Sequence, residues 1–201
     1  MTGVITGDII RSREQKAATW MRLLKTALRR YGQETVDWEI YRGDSFQLEV
    51  KSPEMALEAA IMIKASIKQM KKMDVRMAIG VGEKSHRSRK ISQANGSAFV
   101  NSGECFESLG KKNLAIRTPW PEVDLEVNLL LDLALLVMDK WTTSSAEIVR
   151  IYVEHPDATQ KALARRLKIS QSNISGRLRR AGFHEIMRMS DRFATLIQKH
   201  L

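Results

Sequence analysis

A chain of 201 residues holds one large folding unit, or a medium one with a small companion. Its 43% hydrophobic and 28% charged residues make it too apolar for disorder and too varied for a fibre, and a single cysteine, Cys105, excludes an internal disulfide framework or a multi-cysteine zinc site. The net charge of +10 favours polyanionic partners.

The N-terminal apolar run is too short for a secretory signal, and the run over 127–138 is cut by Asp132 and falls short of the roughly 20 residues that span a bilayer. A cytoplasmic protein without a membrane partner is expected. Val4-Ile5-Thr6 is a β-rich run ending at Gly7-Asp8, and residues 14–30 place Ala17, Trp20, Met21, Leu24 and Leu28 on one helical face. Residues 36–41 and 46–50 form a hairpin around Arg42-Gly43-Asp44-Ser45, whose glycine and aspartate suit a turn. Ser52-Pro53-Glu54 is a helix-start signal for an amphipathic helix with Ala56, Ala60, Ile63, Ile67 and Met70 on its apolar face. Residues 75–81 alternate as a strand, 82–90 form a basic loop, 98–109 a third helix and 114–116 a last strand. The first six elements follow the ferredoxin-like split β-α-β order, so the fold class is an α+β sandwich. Cys105 falls on the third helix, where it serves as a small packing residue.

Charge divides the chain further. Residues 1–117 carry a net +8, residues 118–146 a net −4 and residues 147–201 a net +6. The first change of sign coincides with Pro119 and Pro121, each of which turns its preceding residue away from helix. The expected organisation is an α+β domain over 1–117, an acidic connecting helix over 118–141 and a helical domain over 142–201.

In the split β-α-β topology the first strand and the hairpin lie side by side, so Asp8 and Asp44 come together despite their separation in sequence. Two carboxylates at one sheet edge suit Mg²⁺ that keeps several waters and takes its other ligands from nucleotide phosphates. The plainer reading of Gly7-Asp8 and Gly43-Asp44 is a pair of turns in which aspartate bonds its own backbone. The segments VITGDIIRSR, EIYRGDSFQLEV and RMAIGVGE resemble the first strand, hairpin and fourth strand of class III nucleotide cyclases and the related GGDEF palm domains. That resemblance implies that Asp8 and Asp44 hold metal and a nucleotide. It departs from the family elsewhere: Glu104 or Cys105 stands where the cyclase transition-state arginine would be, and Ile40 where the base-recognising lysine would be. The resemblance therefore implies a nucleotide site that has lost cyclisation. Over most of its length the chain resembles the SatD family, small cytoplasmic bacterial proteins with this kind of N-terminal domain and a helical C-terminal region. The basic loop offers Lys84, Arg87, Arg89 and Lys90 as phosphate contacts, or simply a solvated surface, and His86 among these cations is expected to be exposed.

Residues 122–140 form an acidic helix whose apolar set exceeds one stripe, so it covers its own domain or a second subunit. Thr142 to Ser145 can cap the next helix, which stops before His155-Pro156. Asp157-Ala158-Thr159-Gln160 opens a helix that runs through Leu167, Lys168-Ile169-Ser170 turns, and a further helix over 171–181 stops at Gly182. TQKALARRLKISQSNISGRLRRAG resembles the helix-turn-helix of bacterial transcription regulators. The DNA-contact candidates are Gln160, Lys161, Arg165, Gln171, Ser172, Asn173, Ser175, Arg177, Arg179 and Arg180, within a segment (157–182) of local charge +6. Residues 183–201 form a last amphipathic helix.

The leading expectation is a cytoplasmic transcription regulator that binds double-stranded DNA as a homodimer, with a catalytically degenerate nucleotide sensor and Mg²⁺ as its cofactor if any. The alternatives are a metal-dependent cyclase or polymerase, and a protein-interaction adaptor.

Overall fold

The computed structural model describes residues 1–85 and 90–201. His86, Arg87 and Arg89 lie outside the described residues. Strand β1 (Thr2–Ile10) takes the centre of a five-stranded mixed sheet of order β2-β3-β1-β4-β5, completed by β2 (Trp38–Tyr41), β3 (Ser45–Val50), β4 (Asp74–Gly82) and β5 (Leu114–Arg117). β1 runs antiparallel to both β3 and β4, whereas β5 lies parallel to β4. Alternation along β1 sends Ile5 and Ile9 to one face and Val4, Thr6 and Asp8 to the other.

The two faces are covered differently. Helices α1 (Ala17–Arg29) and α2 (Ala56–Ile67) take the Ile5 side, where Leu24, Leu28, Leu57 and Ile61 are fully buried. Helix α3 (Ser97–Glu107) lies on the other side, where the Thr6 and Ser102 hydroxyls meet at 3.0 Å and Ala78 packs on Cys105. Burial pushes the Cys105 thiol up to about 11, which suits a packing residue. The close approach of α3 depends on Gly80, because a Cβ there would stand 2.2 Å from the Ser102 amide nitrogen. The Gly80-x-Gly82 pair thus seats a helix on the sheet.

The remaining helices are α4 (Pro121–Met138), α5 (Thr143–Glu154), α6 (Gln160–Leu167), α7 (Gln171–Ala181) and α8 (Phe183–Gln198). Three side chains spaced by four on α4 meet the edge at β5: Asp124 accepts from the Thr118 amide at 2.8 Å, the Asn128 amide bonds both N–H and C=O of Ile116, and Asp132 pairs with Lys112. α2, expected to bury one face, is buried on all sides except at Glu58, because α5 and α8 close over the face it turns from the sheet. One apolar cluster consequently runs from Ile5 through α2 to Val149 and Phe193. Two expected starts also shift. Ser52 makes no side-chain cap and Pro53–Met55 forms a 3-10 turn before α2, and β2 begins at Trp38, leaving Val36 exposed. Among the described residues, no helix is long and apolar enough to cross a membrane.

Candidate functional site

Cross-strand register places Asp8 opposite Ser45 and Arg76, and Ser45 opposite Tyr41. Since partners in a ladder share a face, Asp8, Tyr41, Ser45, Gln47 and Arg76 line the side of the sheet that α3 covers only in part. The Arg76 guanidinium grips Asp8 with both nitrogens in reach, Nη2 donating to Oδ2 at 2.9 Å and Nε to Oδ1 at 3.4 Å. It also sits 4.9 Å from the centre of the Phe106 ring, a cation-π contact that fixes it against α3. Burial raises the pKa of the neighbouring Tyr41 hydroxyl, Arg42 opposing and Asp8 reinforcing it. Glu39 shares this face, and its buried Oε2 finds no hydrogen-bond partner among the described residues.

Asp44 is next to this group along the backbone, its carbonyl accepting from the Ile9 amide at 3.1 Å. Its carboxylate is engaged elsewhere, accepting from the Ser12 hydroxyl at 2.5 Å and so holding the segment that leaves β1, while the Ser12 carbonyl accepts from the Trp20 indole. The backbones of the two aspartates are thus adjacent, but each side chain is held by a different partner. Mg²⁺ needs carboxylate oxygens free to take it. Here Arg76 covers both oxygens of Asp8, and no group of three or more His, Cys, Asp or Glu among the described residues is placed to hold an ion.

Lys84 is not brought to these aspartates. Its ammonium is bonded at 2.5 Å to buried Glu49, which faces Val4, four residues or about 13 Å along β1 from Asp8. Lys90 is exposed at the start of a 3-10 turn, Ile91–Gln93, whose first amide bonds the Thr35 carbonyl. Arg76 is the site residue that sequence reasoning missed. Its one signal is a cation at an outward position of a strand, and the β1–β4 register that aims it at Asp8 is a tertiary property.

The second candidate surface is built by α5, α6 and α7 around a small core of Ile148, Ile151, Leu163, Ala164, Ile174 and Leu178. Local signals define these helices. The Thr142, Thr159 and Ser170 side chains each cap the following helix by accepting an amide three residues on, and Gly182 ends α7 at φ 60° in the left-handed region. Lys168 takes φ 53° to make the turn between α6 and α7. Gln171, Ser172, Asn173 and Ser175 at the start of α7, together with Arg179 and Arg180, are exposed; so are Lys161 and Arg165 on α6, and Gln160 is half-buried. Arg177 differs from its neighbours: its Nη1 donates to Glu147 of α5 at 2.9 Å and its Nε to Asn173 at 3.2 Å. It braces α7 against α5.

Fold and surfaces define an α+β protein with a polar, arginine-held sheet face and a small basic tri-helical unit near its C-terminus. The chain belongs to the SatD family, whose model matches residues 2–197. No curated protein matches the sequence.

Proposed function

We propose that the protein is a DNA-binding regulator that uses α6 and α7 as a helix-turn-helix, with an α+β part related to the cyclase and palm domains but without their catalysis. The carrying observation is the exposed start of α7, where Gln171, Ser172, Asn173 and Ser175 offer short hydrogen-bonding side chains on a capped helix flanked by exposed Lys161, Arg165, Arg179 and Arg180. Such side chains read base edges in a major groove while the cations neutralise phosphates on either side. The strand order β2-β3-β1-β4 with two helices on one face supports the ferredoxin-like reading of the α+β part. In that part Arg76, held in place by Asp8 and Phe106, is a prepared contact for a phosphate-bearing ligand, and the same guanidinium stands where catalytic metal would need free carboxylate.

The test is fluorescence anisotropy with a labelled random-sequence duplex across a salt series. Binding is expected at low salt, and Arg179→Ala with Arg180→Ala lowers the log–log salt slope by about 0.9 for each phosphate contact removed. Their exposed positions leave the melting temperature unchanged. A wild-type protein that retains no duplex at low salt, or a double variant with unaltered affinity and slope, overturns the reading.

A further inference from the structure

Helix α4 buries one side and leaves the opposite one bare. Val123, Val127, Leu131, Leu135 and Met138 are at most 7% exposed, whereas Leu125, Leu129, Leu133 and Leu136 are 77%, 62%, 58% and 62% exposed. At about 100° per residue these four leucines fall within an arc of roughly 80° pointing away from the core. A stripe of this length exceeds the scattered apolar residues that a surface ordinarily carries.

Its ends are charged and opposite. Glu122 lies one turn before Leu125 on the same line, and Lys140 stands in the turn that follows the helix, four residues past Leu136. Both are exposed, and among the described residues Glu122 has only a long contact of 3.8 Å to His200. The carboxylates flanking the stripe are already matched: Glu126 by both nitrogens of Arg192 at 2.7 and 3.1 Å, and Asp132 by Lys112 at 2.7 Å. The two carboxylates beside the stripe are thus compensated, and Glu122 at its end is the acid left open to a partner's cation.

We propose that this stripe is the seam of a two-fold dimer in which α4 packs antiparallel on the same helix of a second copy. Glu122 and Lys140 are equidistant in sequence from Leu131, so an antiparallel pair crossing there sets Leu125 against the partner's Val137, Leu129 against the partner's Leu133 and Glu122 against the partner's Lys140. Such a surface is self-complementary, as an isologous contact requires. A parallel pair would oppose like charges at both ends and align the helix dipoles. An anionic lipid surface is disfavoured, because residues 118–146 carry a net −4. The dimer does not depend on DNA binding, which the duplex assay tests separately.

Sedimentation equilibrium of the full chain tests the seam. A concentration-dependent dimer is expected, and Leu129→Glu or Leu133→Glu raises its Kd by roughly thirtyfold or more, the size expected at a central interface residue. Because both leucines are exposed, the circular dichroism spectrum of the variants should not change. Glu122→Lys and Lys140→Glu each weaken the dimer, and combining them restores it, because the swapped charges still meet in opposite pairs. A wild-type monomer at every concentration up to the solubility limit overturns the proposal, whether or not it adheres to vesicles or another protein. So does a dimer indifferent to both leucine variants, and a double charge swap that fails to restore association overturns the antiparallel arrangement.

Discussion

Cations at the end of α2 and cations on α7 carry the same charge in opposite settings. Lys64 is fully buried, with its ammonium 2.8 Å from Asp74 and 2.7 Å from Asp139, and Lys68 adds Asp74 at 2.9 Å and the Asp139 carbonyl at 2.7 Å. These lysines join the end of α2 to the start of β4 and the end of α4, using up their charge inside the fold. Arg179 and Arg180 form no salt bridge among the described residues and stay at the surface. The net charge of +10 therefore has two parts, one holding the architecture together and one left at the surface.

The largest expected effect falls on the buried part. Lys64→Ala removes the cation of Asp139, leaves Asp74 with Lys68 alone and opens a cavity in the core, and is expected to cost about 2 kcal/mol, read as a lower urea midpoint with an unchanged slope. A loss no larger than that of a surface substitution would show that the network adds nothing. Arg177 sits between the two settings, since its side chain is 19% exposed and bonded to Glu147. Arg177→Ala is expected to cost about 1 kcal/mol through the lost brace, whereas Arg179→Ala stays within about 0.5 kcal/mol. Equal thermal shifts in the two variants would erase the distinction between them.

The smallest effect concerns Asp124, whose carboxyl is raised above its ordinary 3.8 by burial, against the hydrogen bonds from Thr118. The sign follows from linkage. With the folded-state pKa above the unfolded one, ionisation opposes folding, so the contribution is most favourable below 3.8 and is lost as pH rises through the folded value. Asp124→Asn keeps an oxygen for the Thr118 amide and removes the titration, so its stability relative to wild type improves from pH 4 toward neutrality. Parallel stability–pH curves for the two proteins would show that this burial carries no cost.

Legibility in the sequence followed the range of the deciding contacts. Helix α7 over Gln171–Ala181 and its stop at Gly182 could be read from the sequence, because a left-handed glycine is a local device; Ser170, read there as part of the turn, caps its start. The mixed α+β character was equally plain, since alternation in β4 and helical spacing in α1 are local patterns. The surroundings of α2 were not, because the helices that close over it come from residues 143 onward. The same holds for the sheet face. Asp8 was visible as a candidate, but the guanidinium that claims it stands 68 positions away and arrives only through strand register.

The side chains of Asp124, Asn128 and Asp132 along β5 have one more effect. A border strand with free amides and carbonyls invites a foreign strand to extend the sheet, and successive copies then polymerise. The Asn128 carboxamide answers both groups of Ile116, and Asp124 answers the amide just beyond the strand, so that flank offers an incoming chain little to bind. The opposite flank, β2, is only four residues long. Copies of this molecule are thereby steered away from open-ended stacking.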